Sequence, residues 1–474
     1  MKNKSVLKWI ENNTGTLIKL SDDIWHFAEV GLQETQSAEA IIKMLLEQGF
    51  SVERGVAGMP TAFVASYGSG KPVIGIMGEY DALPGLSQTA HFEKVPVKSG
   101  APGHGCGHNL LGVGALGAAL AIKNACVEQK LPGTIRYYGC PAEETLVGKV
   151  FMVRDGLFKD VDIALTWHPG ATNNLWAASS LSLNSVKFTF HGRTSHAAGD
   201  PENGRSALDA VELMNIGANY LREHVVQEAR IHYVITNGGG EPNIVPALAQ
   251  VWYYVRAPRR KQVEEIYERL KNIAEGAALM TDTTFDIEFL SGCYNTLHND
   301  IIGDVLLESM REVGPPPFDD VDQAFARGMV QNYPVGHYEK MVDRIKRKFN
   351  LDVNGKCLMD EISYLNDKNE VSAGSTDVGD VSWVVPTAQF TTACSVLGTP
   401  GHSWQYAAAS GMSIGHKGMI IAAKVLALTG LRFMTDSQLV EKAKEDFKCS
   451  TTGKEYVSPL PKGHLPPLHQ LPHH

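Results

Sequence analysis

The stretch Gly103-His104-Gly105-Cys106-Gly107-His108-Asn109 places two imidazoles and a thiol within five residues. In an extended segment side chains alternate in direction, so His104, Cys106 and His108 are expected to point the same way. The intervening glycines let the backbone approach whatever those groups hold. Thiolate and imidazole together suit a borderline-soft ion such as zinc. The run alone is too short to close a site, so its reading turns on whether the rest of the chain supplies further ligands.

Working outward, the chain repeats one arrangement. Upstream, Pro72 to Gly78 is a continuous apolar run, the pattern of a strand buried on both faces, and it ends in the acidic turn Glu79-Tyr80-Asp81. Downstream, Leu110 to Cys126 reads as a helix apolar nearly all round, and so as one buried against a sheet. It contains a formal GxGxxG from Gly112 to Gly117, but no strand runs directly into it and no acidic residue follows at the dinucleotide-binding distance, so close helix packing explains the glycines better. Thr134 to Cys140 is the next strand and delivers Pro141-Ala142-Glu143-Glu144. Val161 to Trp167 is followed by His168-Pro169, and Thr391 to Leu397 is expected as a strand leading to His402. In open parallel α/β sheets ligands bind at the carboxyl edge. The expected fold class is therefore α/β, a mostly parallel mixed sheet flanked by helices, with the separate pieces converging on one site.

Between these pieces the texture changes. Strand-like runs at Ser182–Phe190, Ile231–Thr236, Ala249–Arg256 and Thr284–Leu290, with helices at Arg205–Arg222 and Gln262–Met280, give a β-α-β-β-α-β order. That is the split βαβ, ferredoxin-like motif, here inserted into the larger domain. The expected division is 1–181, then 182–292 for the insertion, then 293–474. Two helices are expected between about residues 5 and 49. Residues 314–370 contain Pro315-Pro316-Pro317 and a basic helix around Lys346-Arg347-Lys348 but otherwise show little periodicity, and read as an elaborated segment; Leu465–His474 reads as a disordered end.

The bulk numbers exclude several classes. At 474 residues two domains are the prior. A net charge of −9 argues against nucleic acid as a partner, and no apolar stretch reads as a membrane span or signal peptide. Seven cysteines without framework spacing read as reduced thiols, hence a cytoplasmic protein. Cys126, Cys140, Cys293, Cys357, Cys394 and Cys449 are expected to be buried free thiols, His104 a supporting residue, and His416 helix surface or packing.

Cys106, His108, Glu144, His168 and His402 together offer five N, S and O ligands. A single structural zinc needs four and leaves no open position. Five protein ligands suit a pair of divalent ions, zinc or manganese, in a two-metal hydrolase. Glu143, next to a ligand glutamate, is placed to act as general base toward water and then as general acid toward a leaving nitrogen. A second reading makes Cys106 a nucleophile with His108 as its base.

These residues resemble the M20 metallopeptidase and aminoacylase family, in the branch with cysteine among the ligands. The likeness extends to Trp25–Glu29, Gly78–Leu83, Ser195–Ala198, Gly204–Ala210 and Ser375–Trp383. It implies a di-metal catalytic domain whose inserted domain is a lid that dimerises. It also implies that Cys106, His108, Glu144, His168 and His402 bind metal and that Glu143 is the acid/base. His196 resembles the histidine that reaches across a dimer to hold the oxyanion. Asn243 and Arg256 match lid positions suited to a substrate carboxylate. Asn109 departs from the family, many of whose members carry aspartate there. The function implied is hydrolysis of an amide to release an amino acid, with p-aminobenzoyl-glutamate or a similar N-acyl amino acid favoured. A dipeptidase, a deacylase of the same family and a non-catalytic partner subunit are the alternatives, and a homodimer or a heteromer with a paralogous subunit are both compatible. Asp377 and Asp380 could orient ligands or cap a helix.

Overall fold

The computed structural model describes residues 4–364 and 367–468. Helices α1 (Lys4–Phe27) and α2 (Thr35–Glu47) lead into strands β1 (Ser51–Arg54), β2 (Phe63–Ser69) and β3 (Val73–Glu79). Helix α3 (His108–Gln129), β4 (Gly133–Cys140), α4 (Gly148–Arg154), β5 (Ile163–Gly170) and β6 (Asn173–Trp176) follow. The insertion runs β7 (Ser182–His191), α5 (Ala207–Leu221), β8 (Arg230–Asn237), β9 (Leu248–Ala257), α6 (Arg260–Thr281) and β10 (Thr284–Cys293). The chain closes through α7 (Asp300–Val313), α8 (Asp320–Gln331), α9 (His337–Phe349), β11 (Ile362–Ser363), α10 (Val378–Ser382), β12 (Thr387–Ala393), α11 (Trp404–Ser410), α12 (Ser413–Thr435) and α13 (Ser437–Thr451).

The large sheet has the order β1-β2-β4-β3-β5-β12-β6-β11. Its centre, β4-β3-β5-β12, is parallel throughout, so four carboxyl ends share one edge. Strand β3 shows why a continuous apolar run is required: Ile74 and Ile76 join the core cluster that contains α3 and α12, while Val73 and Met77 join the one that contains α4. The chain leaves β3 for β4 on one side and then returns past β3 to β5 on the other, which opens a crevice at the carboxyl edge. Helices α3 and α12 are each apolar and long enough on composition to span a bilayer, yet 78% of each apolar window is buried inside the fold, and packing on the sheet accounts for them. A Cβ at Gly112 would meet Glu79 O at 2.5 Å, so this glycine serves close approach to β3, while Gly114 and Gly117 make room for Trp167 and Leu17.

The insertion forms its own antiparallel sheet, β10-β7-β9-β8, with a separate hydrophobic core under α5 and α6. This is the ferredoxin-like arrangement.

Four expectations are corrected. The last central strand is Thr387–Ala393, not Thr391–Leu397. Beyond Ala393 the ladder ends because Cys394 and Ser395 both donate to Gly170 O (2.7 and 3.1 Å), and Val396 and Leu397 turn into the packing beneath α8 and α9. Residues 314–370 are not without periodicity: Phe325, Ala326 and Met329 form the buried stripe of α8, and Ile345 that of α9. Cys449 is exposed and Cys357 only half-buried. In the tail, Pro466 and Pro467 are buried and Leu468 packs on the core beside α4; residues 469–474 lie outside the described residues.

Candidate metal centre

The opening motif is not extended. Gly105 and Cys106 form a turn closed by Gly107 N donating to His104 O, Gly107 takes a left-handed conformation (φ 78°), and His108 is the first residue of α3. His104 is thereby sent away from its neighbours: its Nε2 pairs with Ile24 O at 3.0 Å, and burial lowers its pKa to about 4. Cys106 and His108 remain together. Two groups of potential ligand atoms each lie within 4.8 Å of one another, Cys106 with His108 and His168, and Cys106 with Glu144 and His402. Cys106 belongs to both, so one sulfur sits between two three-ligand sets. Glu79, His108 and Glu143 form a third such group.

The chemistry of this donor set fits divalent cations. His108 Nε2, Glu79 Oε2 and Glu144 Oε1 are buried without a hydrogen-bond partner, a costly state for polar atoms unless an ion completes them. His108 and His168 are each held in the tautomer a ligand needs. His108 donates Nδ1–H to Asp81 Oδ1 at 2.8 Å, which leaves Nε2 free. His168 donates Nδ1–H to Pro169 O at 2.7 Å, and its Nε2 lies 3.5 Å from Cys106 Sγ. His402 Nε2 stands 3.3 Å from Glu144 Oε2 at the exposed mouth of the site. His402 itself adopts a positive φ of 53°, unusual for a residue other than glycine, and donates its backbone N–H to Gly105 O, which ties the two distant loops together.

The carboxylates are fixed from below. The Glu143–Thr145 turn is flanked by left-handed Ala142 and Leu146, and it is anchored by Ala142 N donating to Glu34 Oε1 (2.8 Å) and Glu144 N donating to Asp81 Oδ2 (3.0 Å). Burial, with the Asp81 charge nearby, lifts Glu34 to about 8. Lys149, wholly buried, pairs with Glu79 Oε1 at 2.6 Å and Asp377 Oδ1 at 2.5 Å. Burial pushes Glu143 well above the usual carboxylate range, and the Glu79 and Asp377 charges push the same way. Glu144 is lifted to about 7 by burial, against the pull of His108. Burial works to lower His108, but Cys106 and Asp81 outweigh it and hold the ring well above its ordinary value. A bound cation competes with these protons for the same lone pairs. The Cys106 thiol is pushed up by burial and by Glu144, the opposite of what activates a nucleophilic cysteine.

Five residues expected from sequence to converge, Cys106, His108, Glu144, His168 and His402, are brought together here, with Glu143 beside them. Arg256 of β9 reaches the same 220 Å³ cavity from the insertion. Its Nη1 donates to Ser375 Oγ at 3.3 Å, its guanidinium lies 5.4 Å over the Tyr254 ring, and its Nε has no partner. His196 and Asn243 do not line that cavity and are exposed. His196 Nδ1 accepts from Ala198 N and Gly199 N, which places the proton of the neutral ring on the outward Nε2. Asn109 points away from the ligands, its Nδ2 donating to Ser21 Oγ (3.1 Å) and Ser410 O (3.1 Å). Asp81, not residue 109, is the acid that orients His108. Asp377 pairs with Lys149, and Asp380 accepts from Tyr294 N and Tyr456 Oη. Sequence reasoning missed Glu34, Lys149 and the individual roles of Glu79 and Asp81. The last two carried a signal, since they end a buried strand as Glu143 and Glu144 do; Lys149 sits in an unremarkable run.

Comparison with known proteins agrees with this architecture. Residues 180–281 match the peptidase dimerisation domain of the M20 family. The chain is 41% identical over 466 residues to one of the subunits of the p-aminobenzoyl-glutamate hydrolase of Escherichia coli (strain K12), covering 96% of this chain and 97% of that protein. It is 28% identical over 413 residues to a Xaa-Arg dipeptidase of Mus musculus, covering 85% and 81%. A Bacillus subtilis structure described as a dinuclear metal-binding peptidase from the M20 family shares the fold, with a TM-score of 0.56, 16% identity and coverage of 90% and 99%.

Proposed function

Because the chain belongs to the M20 family of metallopeptidases and amidohydrolases, hydrolases of amide bonds, we propose that it cleaves an N-aroyl or N-acyl amino acid, with p-aminobenzoyl-glutamate the favoured substrate. The observation that carries this reading is the pair of ligand groups sharing Cys106 with buried Glu143 alongside. On this reading Cys106, His108, Glu144, His168 and His402 hold two divalent ions, zinc or manganese. Bound there, such ions would polarise the amide carbonyl and acidify the attacking water. Glu143 takes the proton from that water and returns it to the leaving nitrogen, and its raised affinity for protons suits the return step. Arg256, which lacks an acidic partner among the described residues, receives the substrate carboxylate, with Asn243 as a second donor.

His196 is assigned to the oxyanion, reaching the site of a second copy. Ile216 and Tyr220 of α5 and Val234 and Ile235 of edge strand β8 are exposed apolar residues on the inserted domain, and they support a dimer through that face. Dimerisation with a paralogous chain would use the same surface. The unpaired cysteines suit the reducing cytoplasm.

The test is hydrolysis of p-aminobenzoyl-glutamate by purified protein before and after chelation, with zinc or manganese added back. Activity lost on chelation and restored by one metal is the expected result. Full activity in a metal-free preparation would overturn the mechanism, and no activity with about two metals bound per chain would overturn the substrate.

A further inference from the structure

A second, larger cavity adjoins the catalytic one. It measures 650 Å³ and is walled on one side by α9 and on the other by Leu397–Gly401, the loop that leads into His402. His337, Lys340, Arg344 and Lys348 all line it, at spacings of three, four and four, so they form one face of the helix. The acidic residues of that helix, Glu339 and Asp343, are not in the lining. The helix is seated rather than loose. Ile345 and its neighbours Met341 and Phe349 pack on Leu397, and His337 Nε2 pairs with Gly398 O at 2.7 Å.

The charges are poorly compensated. Lys340 and Arg344 have no ion-pair partner among the described residues, and Lys348 Nζ lies 3.7 Å from Asp367 Oδ2. Asp367 is 4% exposed and its Oδ1 has no hydrogen-bond partner. Three long cations against one carboxylate, on a concave wall of a chain with net charge −9, make a local positive field where the molecule as a whole is acidic.

The two cavities share Trp176, whose ring meets that of His168 edge-on at 6.0 Å. At 220 Å³ the catalytic cavity falls below the roughly 300–1,000 Å³ usual for small-molecule sites. The neighbouring one is within that range. Trp176 is thus common to both walls, and the basic cavity is the one with room for groups beyond the scissile amide and its immediate neighbours.

We propose that this cavity is a second substrate subsite, in which Lys340, Arg344 and Lys348 take the carboxylates of an oligocarboxylate extension of the amide substrate, of the oligoglutamyl type. This rests on the amidohydrolase reading above and adds the substrate class that the reading leaves open. Charge and reach, not the chemistry at the metals, set the preference.

The experiment compares kcat/KM for p-aminobenzoyl-glutamate with that for its γ-linked triglutamate homologue, in the wild-type protein and in the Lys340→Gln/Arg344→Gln variant. The wild type is expected to favour the triglutamate by about tenfold or more through KM, and the variant to lose that ratio, as two lost charge-assisted contacts require. In parallel, calorimetry measures binding of free γ-linked triglutamate and of inorganic tripolyphosphate to both proteins. Triglutamate binding that is lost in the variant supports the subsite even if neither amide is hydrolysed, an outcome that would sink the substrate reading alone. An unchanged ratio in the variant overturns the proposal. So does binding of tripolyphosphate without triglutamate, which would mark a phosphate site instead.

Discussion

The floor of the catalytic cavity and the inserted domain above it are built on opposite plans. On the floor, Glu79, Asp81, His108 and Glu143 are all buried, and the first three are held by hydrogen bonds or ion pairs before any substrate arrives. In the insertion, His196 and Asn243 are exposed, sit in loops, and meet nothing in the catalytic cavity of their own chain. Arg256 stands between the two plans, half-buried in a strand and already in the cavity. The contrast teaches where precision is stored. Groups that must keep charge in low dielectric are locked by partners, because an unpaired buried charge costs several kcal/mol. His196 and Asn243, which carry no buried charge, can be left in solvent.

The largest expected effect is at the floor. Glu143→Gln should retain metal, measured by elemental analysis, and lose about 10³–10⁴-fold in kcat. Turnover near wild type would remove the acid/base assignment.

Next comes the support beneath it. Lys149→Met leaves Glu79 and Asp377 buried without their cation and should cost about 3–5 kcal/mol in urea unfolding. A loss below about 1 kcal/mol would mean that this pair is not buried in solution and that the floor is no more locked than the inserted domain.

His196→Ala sharpens the contrast from the other side. It should lower kcat by about 10²–10³-fold while leaving metal content and unfolding unchanged, since the ring is exposed. Mixing it with Glu143→Gln, each inactive alone, should restore about a quarter of wild-type activity if one copy completes the site of the other, because a random C2 mixture contains half heterodimers with one intact site each. No recovery after subunit exchange would confine the site to one chain.

The smallest effect concerns pH. Burial lifts Asp380 to about 7 although it accepts from Tyr456 and Tyr294. Its folded value lies above the ordinary 3.8, so its contribution to stability is full below that value and is lost as pH rises toward 7. Wild type should therefore weaken between pH 5 and 8 more than Asp380→Asn does. Parallel stability profiles for the two proteins would show that Asp380 titrates normally.

Much of the site is legible in the sequence because its residues end strands. The run Val73–Gly78 and the strand before Pro141-Ala142-Glu143-Glu144 announce buried parallel strands, and the parallel architecture then dictates that their carboxyl ends meet. His402 is legible only by its type and its loop, and the strand before it reads four residues late, because apolar Val396-Leu397 continue the pattern after the hydrogen-bond ladder has ended at Gly170. Helix α9 is legible through its basic run Lys346-Arg347-Lys348, whereas α8 is hidden by a short buried stripe on an otherwise polar surface. Lys149 carries no signal at all, since a lysine between glycine and valine reads as surface until the fold buries it.

By itself the sequence determined the alternation of strands and helices, the inserted ferredoxin-like unit, and the residue types that converge at the carboxyl edge. These follow from local periodicity and from handed, short-range rules of connection. Only the tertiary structure decided which acid orients His108, that His104 turns away while Cys106 joins both ligand groups, and that Lys149 balances two buried carboxylates. Those choices depend on atoms far apart in the chain, and on desolvation, which exists only once the core has closed.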